Sequence, residues 1–219
     1  YPVTAIGGAA FEYCLALAAV TVPDGVTALC DSAFAYCRNL GSVSLPDSLE
    51  TIGSGAFMGC AGLASVTIPD TVKVLGNDAF FGCSGLTSVT LPDSVEEIGD
   101  SAFADCSGLT SITIPGSVKH LGEFTFYCCR GLTSVTIRDG LTEIPGYTFS
   151  DCEALRAIAI PDSVKTIGIR AFWSCSALTS VEIPEGVAAI GPEAFGDCAG
   201  LASVAFPDSV TSVGDSPNR

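Results

Sequence analysis

The chain has few basic residues, the type on which nucleic-acid binding mainly depends. Of its 219 residues only 9 are Lys or Arg, against 24 Asp or Glu, and the net charge is −15. A field of that sign repels nucleic acid and anionic membrane surfaces, so nucleic acid is excluded as a partner. No apolar run approaches the ~18 residues that a spanning helix needs. We therefore expect no membrane insertion by this segment.

The patterns that mark common enzymes are also missing. The sequence contains neither the G-x-x-x-x-G-K of phosphate-binding loops nor the H-E-x-x-H of zinc proteases. A single His argues against a Ser-His-Asp site, and also against zinc, which needs four converging Cys or His ligands. These absences predict a non-enzymatic protein with no catalytic residue, no cofactor and no metal site.

What the sequence has instead is a strict repeat. A Phe recurs every 23 residues and a Cys follows it three positions later, from Phe11 and Cys14 to Phe195 and Cys198. No insertion or deletion breaks the phase. A fixed period of this length is typical of a solenoid, in which each coil buries its apolar face against its neighbours.

One coil read residue by residue predicts a strand, a turn and an outer segment. Leu178, Val181 and Ile183 have L-x-x-L-x-L spacing, and the last two alternate with polar residues as a half-buried strand does. Pro184 ends the strand because it cannot donate to a sheet ladder. Stacked coils would form one parallel sheet. The segment 170–175 is too short for a full helix, so we expect a helical or 3₁₀ turn there on the outer face.

The repeat L-x-x-V-x-I-P-x-x-V-x-x-I-G-x-x-A-F-x-x-C-x-x resembles the BspA-like (Treponema-type) leucine-rich repeat family over essentially the whole chain. The resemblance implies a right-handed, β-rich leucine-rich repeat solenoid with a parallel sheet on its concave side. It also implies a non-enzymatic protein, secreted or exposed on the cell surface and used in adhesion. It carries no universal binding residues. Departures at Thr125, Arg138, Pro145 and Thr148 leave the shape of coils 120–156 open.

The repeated cysteines have two interpretations. Neighbouring coils bring their Cα atoms close to disulfide range, but pairing two by two would distort a uniform stack. Free Cys packs as a small buried hydrophobe, and that is the interpretation we favour. Cys128 stands at a variable position beside Cys129, where it is either an exposed reactive thiol or, as we favour, a neutral substitution.

Two surface columns are predicted beside the strands. The concave face carries Ser and Thr in nearly every coil, which suits solvated strands and equally a shallow docking face for an extended polypeptide or glycan. Next to it runs a column of Asp and Glu at the turn after Pro. Turn formation explains these carboxylates, although a weak divalent-cation rail is the alternative.

The irregular coils supply the candidate binding residues. Aromatic and Arg side chains are the types most often found at binding hot spots, and here they stand at positions that the repeat leaves free. A basic spot on an acidic body would orient an acidic partner. The predicted partner-binding residues are Phe124, Tyr127, Arg130, Arg138, Tyr147, Arg156 and Trp173.

We therefore predict one domain, residues 1–219, formed by about nine 23-residue coils. Both ends cut through a repeat without polar caps, which suggests a segment of a longer protein. The predicted function is a protein-binding or adhesion module of a surface or secreted protein, with a protein or glycan ligand. The alternative is a rigid scaffold subunit inside a larger, intracellular assembly, which the many cysteines favour.

Overall fold

The computed structural model describes residues 3–214, and across that range the chain winds into a parallel β-solenoid of about nine turns. Eighteen short strands and no helix are formed within these residues. In chain order the strands are β1 (Ala5–Ile6), β2 (Ala19–Thr21), β3 (Ala28–Leu29), β4 (Ser42–Ser44), β5 (Thr51–Ile52), β6 (Ser65–Thr67), β7 (Val74–Leu75), β8 (Ser88–Thr90), β9 (Glu97–Ile98), β10 (Ser111–Ile114), β11 (His120–Leu121), β12 (Ser134–Ile137), β13 (Glu143–Ile144), β14 (Ala157–Ala159), β15 (Thr166–Ile167), β16 (Ser180–Glu182), β17 (Ala189–Ile190) and β18 (Ser212–Val213).

The even-numbered strands from β2 to β16 form the sheet that the sequence predicted. They hydrogen-bond in the groups β2–β4, β6–β8 and β10–β12–β14–β16, always in parallel. Equivalent residues of successive coils are partners, as Ser111 is of Ser134. The second residue of each strand faces inward, like the buried Ile112, and its Ser and Thr neighbours are exposed. We call this exposed side the first-sheet face.

The odd-numbered strands, together with β18, form a second parallel sheet that the sequence analysis missed. Each of these strands has two residues, of which the second is usually buried, as Leu75 and Ile98 are. A strand of two residues is too short for the alternation of buried and exposed side chains to be recognised in the sequence. The buried Val and Ile in this part of the repeat were recognised, but the strand was not.

The outer segment forms hydrogen-bonded turns, and the helical turns expected there are not present in residues 3–214. The residues two before and two after each repeat Phe have left-handed backbone angles; around Phe103 these are Ser101 (φ 55°) and Asp105 (φ 56°). A helix needs consecutive right-handed residues, so this alternation excludes it. The Phe103 N–H instead donates to the Thr125 carbonyl of the next coil at 2.9 Å. The outer turns are therefore a third backbone ladder.

The core between the three ladders is a stack of identical side chains. Rings of successive repeat Phe residues lie nearly parallel, with centroids 5.2–5.6 Å apart. From Phe34 to Phe172 these rings are buried. Because each coil repeats its neighbour, a Phe with a coil on both sides is buried, whereas Phe11 in the first coil is exposed.

The repeated thiols form hydrogen bonds inside this apolar core. All 11 cysteines are unpaired, and the repeat cysteines from Cys37 to Cys198 are buried. Each of these donates its S–H to the carbonyl of the Phe in the preceding coil, as Cys106 does to Phe80 at 3.2 Å. Burial raises the pKa of the Cys106 thiol well above its ordinary value. Cys128 is buried too, so the exposed reactive thiol considered for it is not observed.

The four departures from the repeat keep the register and have local effects. The Thr125 and Thr148 hydroxyls are buried and donate to the Gly122 and Pro145 carbonyls at 2.6 and 2.8 Å. Pro145 has no N–H, and the second sheet is interrupted at that coil, between β11 and β13. Arg138 has the N–H that Pro lacks and donates it to Ile114 at 3.0 Å. Strands β10 and β12 are accordingly the four-residue ones.

Candidate binding surface

The outer turns present side chains that the core does not constrain. They stand two residues before, one after and two after each repeat Phe, and we call them the −2, +1 and +2 positions. In most coils they hold small or polar residues. In the coils around Phe126, Phe149 and Phe172 five of the nine hold large side chains, and since every coil has the same backbone the side chains at one position are stacked in a column.

Four of the predicted residues and one that was not predicted come together here. Phe124 and Tyr147 occupy the −2 position of successive coils, and their rings stack with centroids 4.4 Å apart. Tyr127 meets Phe124 edge to face at 5.8 Å. The Arg170 guanidinium lies 5.7 Å from the centre of the Trp173 ring. We call these five residues the outer-turn cluster.

Neighbouring residues hold Arg170 and Trp173 in place. The Arg170 Nε and one terminal nitrogen lie 2.8 and 2.7 Å from the Glu193 carboxylate. Hydrogen bonding to Glu193 raises the pKa of Arg170, so the guanidinium stays charged. Trp173 packs against Gly196 of the next coil, where an added Cβ would lie 2.8 Å from the ring. Two of the five cluster residues are thus held by contacts within the chain itself.

A cavity of about 140 Å³ lies within the cluster. Its lining adds Ser150 and Asp151 to the five cluster residues. Ser150 is buried at the +1 position between Tyr127 and Trp173, and its hydroxyl donates to Asp151 at 3.3 Å. A small side chain between two large ones in one column therefore leaves the opening.

The three remaining predicted residues, all arginines, lie outside the outer-turn cluster. Arg130 lies beside Cys128 and pairs with Glu153 at 3.4 Å, with both side chains mostly exposed. Arg138 lies at the edge of the first-sheet face and reaches back two coils to Asp93 at 2.9 Å. Arg156 is exposed just before β14.

The predicted basic spot stays a prediction: two of its three arginines, Arg130 and Arg138, are ion-paired, and among residues 3–214 no carboxylate lies within ion-pair distance of Arg156. The guanidinium groups of Arg130, Arg138 and Arg170 each have a carboxylate within ion-pair distance. A hydrogen bond and charge interaction with Cys128, followed by burial and the charges of Asp151 and Asp105, raise the pKa of the Tyr127 phenol to about 12. The sequence shows which coils contain an Arg, but not which carboxylate of a nearby coil pairs with it.

Arg170, Ser150 and Asp151 were missed, although the repeat contained the signal. Arg170 is the −2 residue one coil after Tyr147, and Ser150 separates Tyr127 from Trp173 in the +1 column. Writing the sequence in rows of 23 places all of them side by side.

The first-sheet face is the competing surface. Its Ser and Thr side chains and the acidic column beside it are exposed. A shallow cavity of about 450 Å³ crosses it, lined by Thr90, Asp93, Thr113 and Arg138 among others. Within residues 3–214 no group of three or more His, Cys, Asp or Glu could hold a metal ion, so the carboxylate column forms no such site there. No helix in that range is long and apolar enough to cross a membrane.

Comparison with known families settles the identity of the repeat. The profile of the BspA type leucine-rich repeat region, in 6 copies, matches residues 4–129 and 97–217. The chain belongs to the BspA-type leucine-rich repeat family. Leucine-rich repeats of this kind are generally non-enzymatic and mediate protein interactions. No curated protein sequence matches the chain.

Solved bacterial leucine-rich repeat proteins share the fold. One from Bacteroides ovatus is 35% identical over 90% of this chain, with a TM-score of 0.72. One from Treponema pallidum is 35% identical over 70% of this chain and 72% of its own, with a TM-score of 0.65. A leucine-rich cell surface protein from Faecalibacterium prausnitzii is 28% identical over 97% of this chain and 73% of its own, with a TM-score of 0.54. The chain spans 57% of the Bacteroides ovatus protein's length.

Proposed function

We propose that this chain is a non-enzymatic binding module of a surface or secreted protein, and that a protein partner docks at the outer-turn cluster. The observation that carries the proposal is the cluster itself: the Phe124 ring contacts both Tyr127 and Tyr147, and Trp173 lines the same cavity. The other outer turns hold mostly small or polar residues, apart from the stacked pair Tyr13–Tyr36. Ordered aromatic side chains that remain half exposed are favoured anchors at interfaces.

Two further points support the assignment. The printed description of the Faecalibacterium prausnitzii relative is of a cell surface protein, which agrees with a surface or secreted location for this chain. The cluster is also pre-organised by the Arg170–Glu193 pair and by the contact of Trp173 with Gly196, so binding would order few side chains. We expect the coils to wind in the right-handed sense, as the family resemblance implies.

A scaffold role is the second candidate. All 11 cysteines are unpaired, and free thiols are more common in reducing compartments than in secreted proteins. In that case the solenoid would serve as a rigid spacer in a larger assembly, and the cluster would be a permanent contact between subunits.

Surface plasmon resonance against a panel of immobilised extracellular proteins and glycans tests the proposal. The double variant Tyr127→Ala/Trp173→Ala should lose the binding that the unmodified chain shows. The matched variant Thr113→Lys/Thr136→Lys, on the first-sheet face, should keep it. The opposite pattern would place the partner on the first-sheet face, and no binding to any member of the panel would favour the scaffold role.

A further inference from the structure

The cavity in the outer-turn cluster is sized for one small group. At about 140 Å³ it has several times the volume of a water molecule, but less than the ~300 Å³ at which pockets begin to take drug-sized ligands. A partner would therefore insert a single side chain or head group here, and the rest of it would lie outside.

Two of the aromatic residues that line this cavity, Tyr127 and Trp173, come from the coils on either side of Ser150. Tyr127 and Trp173 share the +1 column and are two coils apart, which is about 10 Å at the ordinary spacing of parallel strands. Two rings that enclose a flat group lie only about 7 Å apart, so at about 10 Å a flat group would contact just one of the two rings. A cation midway would lie about 5 Å from both rings, within the ~6 Å over which an aromatic face attracts positive charge.

The charges around the cavity favour a cation as well. Among residues 3–214 no Lys, Arg or His lies within ion-pair distance of the Asp151 carboxylate, which borders the cavity. The positive group that does border it, Arg170, is balanced by Glu193 at 2.7 Å. The Asp105 and Asp151 charges that help to raise the pKa of the nearby Tyr127 phenol act in the same direction.

We propose that this cavity binds an alkylammonium group, held between Tyr127 and Trp173 and paired with Asp151. The group would come from a lysine side chain of the protein partner, methylated or free; a choline head group has the same chemistry and is the alternative that the test distinguishes. The inference rests on the proposed function in that it takes the outer-turn cluster as the binding site, and it reverses the acidic partner expected from the sequence.

The single Trp of the chain makes the test specific, because Trp173 fluorescence reports on this cavity alone. Choline chloride is titrated at constant ionic strength, in parallel with 3,3-dimethylbutan-1-ol, its neutral isostere, and with methyl glucoside. We expect a saturable response to choline and at least about fivefold weaker binding of the isostere. Equal binding of choline and isostere, tighter binding of the glucoside, or no saturable response to choline would overturn the proposal.

Single substitutions test the contributions of Asp151 and Arg170 to choline binding separately. Asp151→Asn should weaken choline binding about fivefold, and Arg170→Gln should strengthen it by removing the competing cation. Tyr36→Ala, at an outer turn of a distant coil, should leave it unchanged. No effect of Asp151→Asn, with the fold intact by circular dichroism, would contradict the pairing. A peptide with trimethyllysine is compared with choline, and the tighter ligand identifies the source of the group.

Failure of this inference can be told apart from failure of the proposed function. Choline binding without any partner in the protein and glycan panel would leave the cavity assignment in place and contradict the docking role. Partner binding that depends on Trp173 but is unaffected by choline would support the docking role and contradict the cavity assignment.

Discussion

At the scale of single residues, the inward-facing Phe is the position that the fold tolerates least. Phe103 is buried and stacks on Phe80 and Phe126 at 5.2 and 5.6 Å. Phe103→Ala should therefore cost about 3–5 kcal/mol of unfolding free energy, because it removes a ring from both contacts and leaves a cavity. Ser111→Ala on the first-sheet face should change it by no more than about 0.5 kcal/mol. Urea titrations compare the two variants, and similar losses would mean that the inward and outward positions are confused.

A second prediction at the residue scale concerns the pH dependence of stability. Burial raises the pKa of the Cys60 thiol from 9.0 to about 12. Above pH 9 the unfolded chain loses this proton and the folded chain keeps it, so stability is complete below pH 9 and falls as the pH rises toward 12. Each such thiol contributes up to about 1.4 kcal/mol per pH unit in that window.

Denaturant titrations between pH 8 and 11 measure this fall, and Cys60→Ala should make it shallower. Intact mass after alkylation provides the control: the repeat thiols should react only once the protein is denatured. Disulfide-linked repeat cysteines in the native protein would contradict both the packing and the pH dependence.

At the scale of secondary-structure elements, what could be predicted depended on the length of each element. The strands of the first sheet were predictable because Leu178, Val181 and Ile183 span enough residues to show their alternation. The second sheet was not, since strands such as Val74–Leu75 are too short. The outer segment was predicted to form a helical or 3₁₀ turn because it is too short for a full helix, but the left-handed residues around each Phe exclude helical geometry.

The same reasoning explains the mixed result for the candidate site. The sequence grouped Phe124, Tyr127, Tyr147 and Trp173 because they stand where the repeat is variable, and the structure brings these four together. It grouped Arg138 with them by chain proximity, whereas the Pro position of Arg138 places it at the edge of the first sheet. In a solenoid the distance between side chains depends on the column within the repeat as well as on the coil.

Left-handed turn positions make a prediction at this scale. Ser101 has φ 55°, an angle that costs a residue with a Cβ more than it costs Gly. Ser101→Gly should therefore be neutral or stabilise the protein by about 0.5 kcal/mol. Ser107→Gly, the same substitution in the same coil at a position without a left-handed angle, should destabilise it by about 0.5–1 kcal/mol. Melting curves of the pair decide, and a loss for Ser101→Gly as large as that for Ser107→Gly would argue against the left-handed turn.

At the scale of the whole molecule, each coil contacts mainly its two neighbours, so stability is a sum over coils and interfaces. A complete coil can then be removed without loss of register. Deletion of residues 54–76 joins Gly53 to Asn77, the same dipeptide that Gly76 forms. We expect the shortened chain to fold with parallel ladders intact and a modestly lower melting temperature. Removal of 12 residues at the same place would break the phase and should unfold the coils on at least one side.

A second deletion links this modularity to the binding site. Removing residues 123–145 also preserves the register, because it joins Gly122 to Gly146, but it takes away Phe124 and Tyr127 and with them one wall of the cavity. This chain should fold as well as the 54–76 deletion and show no saturable change in Trp173 fluorescence with choline, whereas the 54–76 deletion should respond like the full chain. Circular dichroism establishes that both are folded. An unchanged choline response after loss of the Tyr127 coil would show that the site does not depend on the columns that three successive coils bring together.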